Sequence, residues 1–325
     1  MVKRLLFIAV VFSATQATAQ QQPLYSQYWQ NGFVINPAVA GTLGYTEIKT
    51  VLRDQWTGLA SENGNSQSPK TNTLSFNSGI GEKNIGLGAY VFTDKIGPVS
   101  RSGLSAAYAY HMKAGEKSIL SFGLSGMFYL YKLNTAALNF DAGTNTDNVL
   151  LTGNFKGFYP NIGAGIYLKG SNYFMGLSAP ELVPIKISSS QDFFIVQEKQ
   201  HIFLNAGVTM KMSDNVDLTP SFLLKYVKGA PAQIDLNAIV TLKKIFSLGA
   251  SYRSGAAFVV MFSYKYKDVF QFGYGYDITT SGLAPYTKGT HEFMIAYNIH
   301  CKKKEEPVKD PNATDTPPVP TPEQK

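Results

Sequence analysis

The sequence predicts an all-β protein, a transmembrane antiparallel β-barrel of about 14 strands. Apolar and polar residues alternate over segments of the length that a tilted strand needs to cross a membrane. Short and long connections also alternate between those segments. Charged residues make up only 16% of the 325 residues, and aromatic residues 13%. Such a composition suits strands with one face toward lipid and the other toward a polar lumen.

The N-terminus has the pattern of a secretory signal peptide over residues 1–19. Lys3 and Arg4 are followed by the apolar run 5–12 and by Ala17-Thr18-Ala19, a small-residue cleavage site. We therefore expect the mature chain to begin at Gln20. The apolar run is shorter than the roughly 20 residues of a membrane-spanning helix, so no transmembrane helix is expected. Cys301 is the single cysteine, which excludes an intramolecular disulfide.

Residues 269–277 show the strand pattern most clearly. One face carries Phe270, Phe272, Tyr274 and Tyr276, and the other carries Gln271, Gly273, Gly275 and Asp277. The same alternation elsewhere brings the number of candidate strands to fourteen: 45–56, 70–80, 83–94, 101–112, 117–132, 157–169, 172–179, 200–211, 216–228, 232–243, 245–253, 256–266, 269–279 and 289–300.

The connections between these strands follow the order expected of a bacterial barrel. The long ones are roughly 57–69, 133–156, 180–199 and 280–288, and all follow odd-numbered strands. Bacterial barrels have short periplasmic turns and longer outer loops, so these four are expected outside. In a soluble β-sandwich, short and long connections are not expected to alternate in this regular order. Pro220 fits poorly, because it cannot donate a ladder hydrogen bond, and predicts a bulge or bend in its strand.

The barrel is predicted to comprise residues 45–300. Two segments lie outside it. Residues 20–44, here called the lead-in, carry several aromatic residues without clean alternation, and could plug the lumen. Residues 301–325 carry a lysine run at 302–304 and are rich in proline, which predicts a disordered periplasmic tail.

No arrangement of residues indicates catalysis, a cofactor or a bound metal. The four histidines, His111, His201, His291 and His300, lack metal-ligand spacing with other ligand residues. The formal net charge of +7 comes from dispersed basic residues, which suits anionic lipid headgroups better than nucleic acid. The sequence therefore predicts a non-enzymatic membrane protein that does not bind nucleic acid.

The inner face of the predicted barrel carries charges of both signs. One interpretation is an ion-pair network that braces the wall, and the other is a selectivity ring in a pore. Interleaving of the two signs favours the brace. The residues concerned are Glu47, Lys49, Arg53, Asp94, Asp217, Lys225, Asp235, Asp277 and Glu292.

Several short motifs resemble a known family over residues 24–300. The residues that carry the resemblance are Tyr25, Gln27, Tyr28, Asn36, Pro37, Gly41, Arg53, Gln55, Trp56, Asp94, Gly97, Tyr276, Asp277, His291 and Glu292. With these residues, the chain resembles the PorP/SprF family of outer-membrane proteins of the type IX secretion and gliding machinery of Bacteroidota.

The resemblance implies a non-catalytic outer-membrane component without cofactors. Its implied partners are periplasmic secretion-ring or peptidoglycan-binding lipoproteins in one branch of the family, and a large secreted adhesin in another. The alternative from a different class is a porin-like diffusion channel for small solutes. Occupancy of the lumen separates the two, because a plugged barrel conducts little.

Overall fold

The computed structural model describes residues 25–59, 68–80, 83–133, 155–188 and 195–300. The expected signal peptide and the Pro-rich tail lie outside the described residues, as do parts of the three long loops at 57–69, 133–156 and 180–199.

The described residues form seventeen strands. Their bounds are β1 Thr46–Asp54, β2 Lys70–Gly79, β3 Ile85–Ile96, β4 Val99–Lys113, β5 Ile119–Leu133, β6 Phe155–Lys169, β7 Tyr173–Ala179, β8 Ile185–Ser188, β9 Ile195–Glu198, β10 His201–Val208, β11 Met210–Ser213, β12 Val216–Val227, β13 Gln233–Leu242, β14 Phe246–Arg253, β15 Ala257–Tyr266, β16 Phe270–Thr279 and β17 Thr290–Ile299. β10 and β11 together form one barrel strand, and β8 and β9 pair only with each other.

The sheet closes into an antiparallel barrel because β1 pairs with β17, in a register that joins Thr46 to Ile299. Counting β10 and β11 as one, the barrel has the fourteen strands that the sequence predicts. Within the described residues, each of these fourteen barrel strands has a hydrogen-bonded neighbour on both sides, as a sheet in a membrane requires.

The alternation of faces is also as predicted. On β13, Leu236 is 50% exposed and faces outward, whereas its neighbour Asp235 is 3% exposed and faces the lumen. The period of two fixes this arrangement, because a shift of one residue would place every apolar side chain of a strand inside.

Pro220 does not produce the predicted bulge in its own strand. It keeps regular register on β12 opposite Ala238 of β13. The interruption falls instead on the other side of β12, between β10 and β11, and the register shifts between Lys211 and Ser213. A proline has no N–H to give to that neighbour, so the neighbouring strand carries the break.

The remaining regular structure is short and helical. The lead-in contains a 3₁₀ turn at Tyr28–Gln30, the single-turn helix α1 at Gly32–Ile35 and a 3₁₀ turn at Pro37–Val39, and a further 3₁₀ turn lies at Ala284–Tyr286. None of the helices in the described parts of the chain has the length and apolar character to cross a bilayer.

The two ends of the barrel differ. Residues 55–69, 134–154, 180–200 and 280–289 connect strands at one end, which we call the long-loop end. The opposite end, where β1 begins and β17 ends, is called the short-turn end.

Candidate functional site

Residues 25–44 of the lead-in lie inside the lumen, so the described part of the segment occupies the position of a plug. Its apolar side chains join two buried clusters with inward-facing side chains of the wall. Phe33, Val39 and Ala40 pack with residues of β3, β4 and β5, and Tyr25, Tyr28 and Ile35 pack with residues of β1, β10, β12 and β17. Burial of each large apolar side chain is worth roughly 1.5–3 kcal/mol, so packing holds the segment in place.

Glycines in the wall make room for the lead-in backbone. A Cβ atom at Gly123 on β5 would collide with Ala38, and one at Gly86 on β3 would collide with Ala40. Gly41 has φ +77°, and its own added Cβ would strike the backbone of Gly86. Gly86 and Gly123 are therefore needed for the close approach of the wall backbone to the lead-in backbone.

A charged cluster ties the lead-in to the strands that close the barrel. We call Ser26, Gln27, Arg53, Asp277 and Glu292 the seam cluster. The Glu292 carboxylate accepts hydrogen bonds from the backbone N–H of Ser26 at 2.7 Å and of Gln27 at 2.8 Å. Arg53 donates to Asp277 at 2.8 Å and to Glu292 at 3.0 Å. All five residues are buried.

Further ion pairs extend this network around the lumen. Arg253 donates to Asp235 at 2.9 Å, to Asp277 at 3.4 Å and to the backbone carbonyl of Tyr25 at 3.3 Å. Lys49 pairs with Glu47 at 2.9 Å and donates to the carbonyl of Gln30.

Most of the inward charges that the sequence singles out are thus tied together. Arg53, Asp235, Asp277 and Glu292 form one network through Arg253, and Glu47 and Lys49 form a separate pair. Asp94 accepts a hydrogen bond from Thr71 at 2.6 Å. Asp217 and Lys225 join none of the ion pairs that the described residues form. This geometry agrees with the brace, because carboxylates and cationic side chains of the wall neutralise one another and also bind polar groups of the lead-in.

A second charged group, centred on Arg101, is absent from the sequence-based set. Arg101 on β4 donates to Glu181 at 2.6 Å, and its guanidinium lies 4.2 Å from the centroid of the Tyr129 ring. The hydroxyl of Tyr131 donates to Glu198. Glu181 precedes β8 and Glu198 is the last residue of β9, so these contacts hold the β8–β9 strand pair at the long-loop end. The only sequence signal for this Arg101 group is that the alternation of β4 places Arg101 on the lumen face. The loop residues Glu181 and Glu198 follow no periodic pattern.

The structure brings some of the family-motif residues together and leaves others apart. Tyr25 donates to or accepts from Thr73 at 2.6 Å, and burial raises the pKa of its phenol, so it stays protonated. The Tyr28 hydroxyl accepts a hydrogen bond from the Asn237 side chain. Asn36 donates to the carbonyl of Ile166 at 3.1 Å. Its side chain also caps the 3₁₀ turn that begins at Pro37.

Five further motif residues, Gln55, Trp56, Gly97, Tyr276 and His291, lie at the long-loop end. The N–H of Trp56 donates to Thr290 at 3.1 Å, and Gln55 donates from its backbone to Pro69 at 2.8 Å. Tyr276 donates to the carbonyl of Lys288, and His291 bonds Tyr274 on the outer face. Gly97 has φ +55° in the turn between β3 and β4.

The chemistry of this arrangement is that of holding a polypeptide segment. The seam cluster uses its carboxylates on backbone amides and on a hydroxyl of the same chain. Within the part of the chain that the structure describes, no group of three or more His, Cys, Asp or Glu side chains is placed to hold a metal ion.

Comparison with known proteins gives the family. The model of the family described as type IX secretion system membrane protein PorP/SprF matches residues 17–297. The chain belongs to the PorP/SprF family. The strands from β1 to β17 and the lead-in all fall within the match or end two residues beyond it. Among curated proteins, none matches the chain.

Solved structures with a similar fold are outer-membrane barrels and channels. The CymD monoaromatic hydrocarbon channel has a TM-score of 0.50 and 12% identity, covering 83% of this chain and 93% of its own. The Pseudomonas putida toluene transporter TodX has a TM-score of 0.48 and 10% identity, covering 84% and 94%. Omp33 of Acinetobacter baumannii has a TM-score of 0.43 and 8% identity, covering 78% and 98%. The first likeness shows the fold, an outer-membrane β-barrel, and nothing about ligands.

Proposed function

We propose that this family member is a non-catalytic outer-membrane component of the type IX secretion and gliding machinery that works by presenting docking surfaces. The observation that carries the proposal is the position of residues 25–44 of the lead-in, which pack inside the lumen and are bonded to Arg53, Asp277 and Glu292. A barrel filled by its own chain offers other proteins its two ends rather than its interior.

The two ends suit different partners. The long loops are proposed to face the outside and to meet an exported adhesin. The short turns and the tail 301–325 are proposed to face the periplasm and to dock a secretion-ring or peptidoglycan-binding lipoprotein. A proline-rich tail is already extended, so it loses less entropy on docking than a flexible coil.

Two truncations test this division. Removing 302–325 should leave the barrel assembled and weaken co-purification of the periplasmic lipoprotein. Shortening 133–156 should impair display of the adhesin and leave lipoprotein recovery unchanged. Each truncation serves as the control for the other, because both remove a comparable length of chain. If neither changes secretion, adhesin display or lipoprotein recovery, the docking proposal is wrong.

The alternative function is diffusion of small solutes. The fold shared with a hydrocarbon channel is consistent with diffusion, but it concerns the barrel architecture alone. The filled lumen opposes it, since solutes would need the lead-in to move. Single-channel conductance distinguishes the two functions.

A further inference from the structure

Two hairpin turns at the short-turn end have an unusual backbone conformation. The turn between β13 and β14 has Lys243 at φ +49° and Lys244 at φ +58°, and the turn between β15 and β16 has Lys267 at φ +51° and Asp268 at φ +54°. In each turn the residue after the pair donates its N–H to the carbonyl of the residue before it, at 2.9 Å and 3.0 Å respectively. This geometry is the type I′ turn, which favours asparagine, aspartate and glycine.

Lysine is unfavourable at these positions. A residue with a Cβ atom is disfavoured in the left-handed conformation, and glycine, asparagine and aspartate adopt it most readily. In three other connections of the barrel, those that follow β4, β12 and β14, the left-handed residues are Gly115, Gly229 and Gly255. Backbone preference therefore does not account for lysine at three of the four central positions, and residues held in such conformations often serve a function.

The two turns are neighbours on the rim of the barrel. β14 and β15 pair with each other, and the N–H of Lys265 donates to the carbonyl of Ile245 at 2.9 Å, beside both turns. Lys243, Lys244 and Lys267 are exposed, and Lys265 is half-buried. We call these four lysines the lysine rim.

The lysine rim keeps a net positive charge. None of its four side chains joins the ion pairs that the described residues form. Two described carboxylates lie nearby, Asp268 in the second turn and Asp217 on β12, opposite Thr241. In the neighbouring turn, Asp214 is paired with Lys211 at 2.8 Å. Four positive charges thus stand against two negative ones.

Aromatic side chains place the lysine rim at the surface of the bilayer. Phe246, Tyr266 and Phe270 are exposed on the outer face, at the strand ends that meet the two turns. Outer-membrane barrels carry such aromatic residues where the apolar band meets the headgroups. The Nζ atom of Lys267 lies 5.2 Å from the centroid of the Tyr266 ring, so this ammonium group is held on the outward flank of the turn.

We propose that the lysine rim binds the phosphate groups of anionic phospholipids in the membrane leaflet at the short-turn end. Lysine binds phosphate as a compact positive charge, and an anionic membrane surface attracts lysines within a Debye length. Each turn has only two central residues, so the lysines stay beside the membrane and do not project into the aqueous space. This position favours lipid over an acidic protein surface. The proposal does not rest on the proposed function.

A pair of substitutions tests the proposal without weakening the fold. The turn variant, Lys243→Asn with Lys244→Gly, removes two charges from the lysine rim and supplies residues that the type I′ turn prefers. The control variant, Lys113→Gln with Lys117→Gln, removes two exposed lysines from the same end of the barrel, at the connection that follows β4. Native mass spectrometry of the folded full-length protein in detergent measures binding of phosphatidylglycerol and, separately, of phosphatidylcholine.

We expect the unaltered protein to bind phosphatidylglycerol more tightly than phosphatidylcholine. The turn variant should lose roughly 30-fold in affinity for phosphatidylglycerol, because each lysine near an anionic surface contributes about a factor of 5. The control variant should keep the affinity of the unaltered protein.

Three results would overturn the proposal. The first is an unaltered protein without preference for phosphatidylglycerol, and the second is an equal loss of affinity in the two variants. The third is a turn variant that still binds phosphatidylglycerol but recovers less of the periplasmic lipoprotein from cells, since the lysines would then serve a protein surface.

Discussion

Arg53 and Glu292 face each other across the strand pair that closes the barrel, and their side chains are joined at 3.0 Å. The same carboxylate accepts the backbone N–H groups of Ser26 and Gln27. One ion pair therefore links the first strand, the last strand and the segment inside the lumen.

Replacing Arg53 with alanine should release the lead-in. The change leaves Asp277 and Glu292 buried with fewer partners, and breaking a buried ion pair costs about 3–5 kcal/mol. We expect a lower free energy of unfolding in denaturant and faster proteolysis within residues 25–44. Lys70→Ala is the matched control, because Lys70 pairs with Asp54 at 3.6 Å with both side chains exposed, and such pairs are worth about 1 kcal/mol or less. Equal losses in the two variants would contradict the role given to the seam cluster.

The fit between wall and lead-in can be tested with two glycines of β5. Gly123→Ala should destabilise the protein by about 1–3 kcal/mol, because the new methyl group collides with Ala38 in a packed interior. Gly126→Ala should be nearly neutral, since an added Cβ there has no neighbour within 4 Å. Chemical unfolding of the two variants measures the difference. A neutral Gly123→Ala would show that the lead-in does not press against this wall.

The outer face should show a depth-dependent sensitivity to charge. Phe262 and Tyr266 are 42% and 45% exposed on the same face of β15, Phe262 near its middle and Tyr266 at its end. An arginine costs about 2–4 kcal/mol at the bilayer midplane and about 0–1 kcal/mol near the interface. Phe262→Arg should therefore reduce the yield of heat-modifiable barrel more than Tyr266→Arg. The reverse order would place the membrane differently on the barrel.

Conductance should rise when the lead-in is shortened. Deleting residues 22–34 removes Tyr25, Tyr28 and Phe33 from the lumen, together with their burial against the wall. Single-channel current in a planar bilayer should be small for the full-length chain and larger for the deletion. Removal of the tail 302–325 is the control and should leave the current unchanged. A large current through the full-length chain would support the diffusion channel instead.

The sequence predicts the barrel well because each strand must alternate apolar side chains toward lipid with polar or small side chains toward the lumen. All fourteen candidate strands are found, and residues such as Arg53, Asp235 and Asp277 are placed on the correct face by parity alone. Their partners are not predictable in this way. Arg53 and Asp277 are 224 positions apart, and only closure of the barrel brings them together.

The sequence does not predict the loop contacts of Glu181 and Glu198, for a related reason. Glu181 and Glu198 lie in a connection without periodic pattern, and nothing local distinguishes them from solvated surface residues. Their burial depends on Arg101, Tyr129 and Tyr131, which come from two other strands.

The path of the lead-in also sets the order in which the molecule is assembled. Ser26 bonds partners that lie 251 and 266 positions further along the chain, and these contacts form only when β16 and β17 have been delivered. Closing so long a loop is entropically costly and makes folding slow. Since Ser26 bonds side chains of β1, β16 and β17 inside the closed barrel, we expect the segment to lie between the unjoined edges when β1 meets β17. The N-terminal residues, which are synthesised first, are thus among the last to acquire their native bonds.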